Sequence, residues 1–150
     1  MTQLPTQAGP TYQPGHVIIA GFGIVGRAVA EALDKAGWPY CVVELNAQTV
    51  QRVAKAGVAI IEGDVRLSEV LQRAGILTAR LLVLAMPDEH ATLAALQTAR
   101  QINPTIQVLV RCHYASAGIQ AQKMGADAVV VAEQVVAHEL VRVLRASFLK

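Results

Sequence analysis

The chain has 150 residues, 53% of them hydrophobic and 16% charged, with 13 basic and 11 acidic side chains and a net charge of +2. That length suits one domain with its own core and leaves no room for a second catalytic one. The near balance of charge, the lack of like-charge runs and an aromatic content of 4% exclude nucleic acid as an expected partner.

Residues 1–15, MTQLPTQAGPTYQPG, are rich in Pro, Gln, Thr and Gly. They read as a disordered tail or a linker, the place where a longer protein would join, with the globular part over residues 16–150. No apolar run approaches the ~18–20 residues that span a bilayer, and the start lacks a signal-peptide pattern. Cys41 and Cys112 have no CxxC partner and are expected as packing residues in a reducing compartment. A soluble, cytoplasmic chain is the expectation.

The first apolar run, His16–Ala20, is a predicted strand, and Gly21-Phe22-Gly23-Ile24-Val25-Gly26 follows it directly and opens a helix. In that context GxGxxG is a dinucleotide fingerprint. Gly21 permits a tight turn, Gly23 lets the backbone approach a pyrophosphate, and Gly26 lets helix and strand pack closely. Phosphate oxygens would sit on the helix N-terminus, where free N–H groups and the dipole favour anions. The helix carries Val25, Val29, Ala32, Leu33 and Ala36 on its predicted inner face and stops at Gly37 and Pro39.

The second strand, Tyr40–Glu44, ends in an acid 18 residues past Gly26, with Leu45 and Asn46 behind it. The fingerprint uses an acid there for the ribose hydroxyls, and a carboxylate would repel a 2′-phosphate. Asn46 could assist or cap the helix that runs to about Ala56. The third strand, Val58–Ile61, leads to Gly63-Asp64-Val65, where Asp64 could border an adenine or serve as a turn acid before a helix over Ser68–Ala74. The fourth, Leu81–Ala85, leads to Met86-Pro87-Asp88 on the same rim and a helix to Ile102. The fifth, Ile106–Val110, is followed by Arg111, which could reach a phosphate or be a surface arginine. Arg27 is ambiguous in the same way. A helix over Ser116–Met124, a strand over Ala128–Val131 and a last helix from Gln134 complete the pattern.

Six strand–helix repeats predict a Rossmann-type, doubly wound, parallel six-stranded α/β sheet in the order 3-2-1-4-5-6. The sequence has no HExxH, GxSxG or P-loop lysine, so metal, hydrolase and P-loop chemistry lack support. His16, His90, His113 and His138 are scattered and are expected on the surface or on helices.

The ordered run HVIIAGFGIVGRAVAEAL, VVELN, EGDV, LLVLAMPDE, INPTIQVLVRCHY and MGADAVVV resembles the regulator-of-potassium-conductance domain, or TrkA N-terminal-like domain, over residues 15–144. It looks most like the cytoplasmic C-terminal domain of KefB-like monovalent cation/proton antiporters. The resemblance implies a nucleotide-sensing gating domain rather than an enzyme, binding AMP or NAD(H), with ADP and ATP as further candidates. It also implies a homodimer beneath a membrane cation transporter, upstream in the same chain or a separate subunit. Carried over by position, Gly21, Gly23 and Gly26 would hold phosphate, Glu44 the ribose and Asp64 the adenine edge, with Arg111 near the cleft. Several relatives place a basic residue within the glycine turn, where this chain has Phe22, Ile24 and Val25, which favours AMP or NAD over a triphosphate. The alternative is the cofactor-binding half of an NAD-dependent oxidoreductase. The last helix carries apolar rows at Val136, Leu140 and Val143 and at Ala137, Val141, Leu144 and Phe148, wider than one sheet face needs, and is the expected dimer surface.

Overall fold

Val17-Ile18-Ile19-Ala20 forms strand β1 (Val17–Ala20), and all four residues are buried. A strand buried on both faces shows no polar alternation, which is why this segment reads as a continuous apolar run. β1 pairs in parallel with β2 (Tyr40–Glu44) on one side and β4 (Leu81–Leu84) on the other. β3 (Ile60–Glu62) extends the sheet beyond β2, and β5 (Gln107–Cys112) and β6 (Ala128–Val131) extend it beyond β4. The order is β3-β2-β1-β4-β5-β6, as the sequence predicts. This computed structural model describes residues 13–149, so the expected tail lies largely outside the described residues. Gly15 N–H already donates to Thr78 O at 2.8 Å.

The helices are α1 (Ile24–Ala36), α2 (Ala47–Lys55), α3 (Ser68–Arg73), α4 (Glu89–Ile102), α5 (Ala115–Lys123) and α6 (Ala132–Ser147). Alternate strand residues face opposite sides of the sheet. Ile18, Ala20, Cys41, Val43, Leu82, Leu84, Val108 and Val110 form one core with Leu71 of α3, Ala95, Leu96 and Ala99 of α4, and Ala121 of α5. Val17, Ile19, Val42 and Val83 form a smaller core on the other face, closed by Ala30, Val29 and Leu33 of α1. The small side chains of α4 and α5 let both helices lie close to the sheet. Arg100, near the end of α4, donates to Ile106 O, Gly125 O and Asp127, bracing the approach to β6.

Three expectations need correction. On α1 the buried residues are Gly26 and Ala30, with Val29 and Leu33 partly buried, while Val25, Ala32 and Ala36 are exposed. A Cβ on Gly26 would stand 2.0 Å from Gly21 O, so this residue sets the line of closest approach and rotates the buried stripe away from the apolar row. His16 is neither on the surface nor on a helix: it is fully buried, and its Nε2 lies 2.7 Å from Ala74 O. The third strand begins at Ile60 rather than Val58, because the Val58 N–H is still turned back to Val53 O at 3.4 Å and the chain first meets β2 at Ala59 O, which accepts the Val42 N–H at 2.9 Å.

Candidate functional site

Strand order reverses between β1 and β4, and the loops leaving their carboxyl ends diverge into a cleft of about 850 Å³. Such a crevice is where open α/β sheets bind ligands. Gly21 (φ +92°) turns the chain away from β1, and its N–H donates to Val43 O at 2.9 Å. A Cβ at Gly21 would crowd Met86 at 3.1–3.2 Å, so the glycine turn and the loop after β4 are in direct contact. Gly23 is the N-cap of α1, with extended backbone and nothing within 4 Å of a would-be Cβ. Ile24 is 90% exposed at the mouth, and Arg27 lies 5.8 Å over the Phe22 ring.

Glu44 stands at the end of β2 with both carboxylate oxygens engaged. Oε2 accepts the Phe22 N–H at 2.8 Å and Oε1 accepts the Asn46 N–H at 3.1 Å. Each carboxylate oxygen has a second lone pair, so Glu44 is aimed and still able to accept hydroxyl protons. The Asn46 side chain caps α2, its Oδ1 accepting the Thr49 N–H at 3.0 Å. Asp64 is held by Arg66. The guanidinium forks onto both oxygens at 2.7–3.0 Å, and the Arg66 N–H donates to Oδ1 at 2.9 Å. That pairing holds the Asp64 carboxyl below the ordinary aspartate range, the Arg66 side-chain hydrogen bond first among the causes and prevailing over the opposing effect of burial. Thr98 of α4 donates to Arg66 O at 2.8 Å and pins this loop to the helix.

The cleft brings together Gly21, Phe22, Gly23, Ile24, Val25, Glu44, Leu45, Asn46, Asp64, Val65, Met86 and Arg111 of the expected residues. Gly26 does not line it, since its place is beneath the turn against Gly21 O. Sequence reasoning missed Thr49, Arg52 and Arg66, which also line the wall. Thr49 and Arg52 lie one helical turn apart on α2, a spacing that could have shown them on one face. Arg66 stands two residues after Asp64, where an Asx-type turn brings its amide back to the carboxylate. Cys41 and Cys112 are buried free thiols, and burial pushes Cys41 up to about 12. Among the described residues no group of three or more His, Cys, Asp or Glu is placed to hold a metal ion.

With this geometry in view, likenesses to known proteins can be placed. A putative K(+) efflux antiporter KefB from Alkalimonas amylolytica is 36% identical over 115 residues, covering 77% of this chain and 17% of the antiporter. The chain therefore spans less than a fifth of that relative. The solved TrkA-N domain of the Escherichia coli inner membrane protein YbaL superposes with a TM-score of 0.83 at 27% identity, covering 88% of this chain and 98% of that one. Two further structures share the fold at lower identity. The GsuK channel bound to NAD has a TM-score of 0.74 at 20% identity, covering 85% of this chain and 23% of the channel. The Kef C-terminal domain of Shewanella denitrificans in its AMP-bound form has a TM-score of 0.69 at 22% identity, covering 77% and 70%. The TrkA-N domain family matches residues 17–132, all six strands, the five helices between them and the whole of the cleft included, and the chain belongs to that family.

Proposed function

We propose that this domain senses an adenine nucleotide or dinucleotide, AMP or NAD(H) before ADP or ATP, and regulates a monovalent cation transporter of the K(+)/H(+) antiporter type without catalysing a reaction. The observation that carries the reading is the pairing of an open glycine turn with Glu44. The Phe22 N–H and the Glu44 carboxylate hold each other, so the phosphate-binding backbone and the ribose acceptor are set before a ligand arrives. The solved relatives bound to NAD and to AMP, and the antiporter relative, support the ligand class and the setting. A ligand acts on the transporter through the difference in its affinity for two arrangements of the domain. Among the described residues no helix is long and apolar enough to cross a membrane, and the proposed reading assigns transport to a partner or to another part of the same chain.

Calorimetry on the purified protein tests the reading. AMP and NAD are expected to bind with dissociation constants in the range of roughly 1–100 μM, about −8 to −5.5 kcal/mol. NADP should bind at least about tenfold more weakly, a difference of about 1.4 kcal/mol set by the Glu44 carboxylate against a 2′-phosphate. Equal binding of NAD and NADP would remove Glu44 from the ribose, and hydride transfer from bound NADH to simple carbonyl compounds would overturn the regulatory assignment.

A further inference from the structure

Glu89, the first residue of α4, is not part of the cleft, yet it touches what lies on either side of it. Its neighbour Asp88 lines the cleft and caps α4 by accepting the Ala91 N–H at 3.0 Å. Glu89 Oε1 accepts two backbone N–H groups from the loop after β5, His113 at 2.7 Å and Tyr114 at 3.0 Å. That loop begins two residues after Arg111, another cleft residue. Tyr114 is the N-cap of α5 and makes no capping bond with its own side chain, so a carboxylate from α4 serves the entry to α5. The other side of the same loop serves α6. Its first turn also has no side-chain cap, and the Glu133 N–H donates to His113 O at 3.2 Å. The first N–H groups of a helix need partners from outside it, and here α5 and α6 find them through the one segment that Glu89 holds.

These bonds form an unbroken chain from the ligand cleft to the exposed helix. The glycine turn abuts Met86, Met86 to Asp88 lead into Glu89, Glu89 grips His113 and Tyr114, and His113 grips α6. Charge-assisted bonds of this length are among the stronger and more directional contacts a loop can have. We infer that Glu89 is a positioning residue that transmits occupancy of the nucleotide cleft to the first turn of α6. The inference rests on the functional reading above and adds to it the path by which the site is read out. A ligand that shifts the loop after β4 moves the carboxylate, and the carboxylate moves the acceptor that orients α6.

Amide hydrogen exchange of the 150-residue protein, measured with and without saturating NAD or AMP, tests this. In the wild type, ligand should change exchange over residues 132–140 by about fivefold or more, the lower end of ordinary allosteric coupling. Glu89→Ala should still bind ligand and keep slow exchange in β1 and β4, but its α6 response should vanish. Glu89→Gln, which keeps an acceptor oxygen at the same place, should retain the response. A second variant approaches from the other end. Glu133→Pro removes the N–H given to His113 along with the Glu133 side chain, within the first helical turn where proline is best accommodated, and should lose the response as Glu89→Ala does, whereas Glu133→Ala, which keeps the N–H, should retain it. A full α6 response in Glu89→Ala or Glu133→Pro would reduce Glu89 to a structural cap and overturn the inference. So would a wild-type protein that binds ligand and leaves α6 unchanged. A wild-type protein that binds no nucleotide would overturn the functional reading itself, which calorimetry distinguishes.

Discussion

Gly23 and Gly26 belong to one motif but meet opposite environments, and substitutions separate them. A side chain at Gly23 finds extended backbone and open space, so Gly23→Val should fold with a stability change below about 1 kcal/mol. On the proposed reading the same side chain would stand where phosphate approaches, so a thermal shift given by NAD or AMP should disappear. A variant retaining the full shift would move the site elsewhere. At Gly26 a single methyl meets Gly21 O at 2.0 Å, and backbone rather than a flexible side chain must yield. Gly26→Ala should lose about 2 kcal/mol or more in denaturant unfolding, before any ligand is considered. Asp64 adds a pH prediction. Because Arg66 lowers its folded pKa below the ordinary 3.8, the pairing contributes above that value and is lost only as pH falls through the lower folded value. The Arg66 Nε–H resonance should therefore stay protected down to pH 3.8 and collapse beneath it; collapse at higher pH would contradict the pairing.

The elements were largely legible because strand burial and helix stops leave local marks. VIIA, YCVVE and LLVL are apolar on both faces since helices or neighbouring strands cover both, and Gly37 closes α1 where the apolar period ends. What the periodicity could not give is rotation. Val25, Ala32 and Ala36 look like an inner face, but the backbone at Gly26 approaches Gly21 too closely to leave room for a Cβ, and it is Gly26 and Ala30 that face the sheet. The site was legible where it depends on backbone shape and a strand-end acid. It was not where side chains from separate elements converge: Arg52 reaches the cleft from α2, and Arg66 does so through a turn its own partner creates. His16 escaped for a related reason, since the carbonyl its ring meets, Ala74 O, is 58 residues away. The same logic applies to Glu89, whose two amide partners lie 24 and 25 residues on and leave no local sequence signal.

At the scale of the molecule the two faces of the sheet are unequally covered. The face under α3, α4 and α5 carries the large core, whereas the face under α1 leaves β6 with Val130 46% exposed. α6 leaves β6 and has no buried residue along its 16 positions. Its apolar rows stand in the open: Val136, Leu140 and Val143 on one, Val141, Leu144 and Phe148 on the other, with Phe148 74% exposed. Most helical stability in proteins comes from burying an apolar face rather than from propensity. Among the described residues its own domain meets α6 mainly at the edge strand from which it springs and at the His113 carbonyl, so a second copy is the proposed occupant, each α6 covering the other's apolar rows about a two-fold axis. Light scattering should then give twice the 15.9 kDa chain mass. Leu144→Asp combined with Phe148→Asp places two charges on one row and should return the protein to monomer. Nucleotide binding should survive, because neither residue lines the cleft. A wild-type protein that remains monomeric at tens of micromolar, where standard interfaces of about 1,600 Å² normally hold, would leave α6 to a different partner and end the dimer proposal.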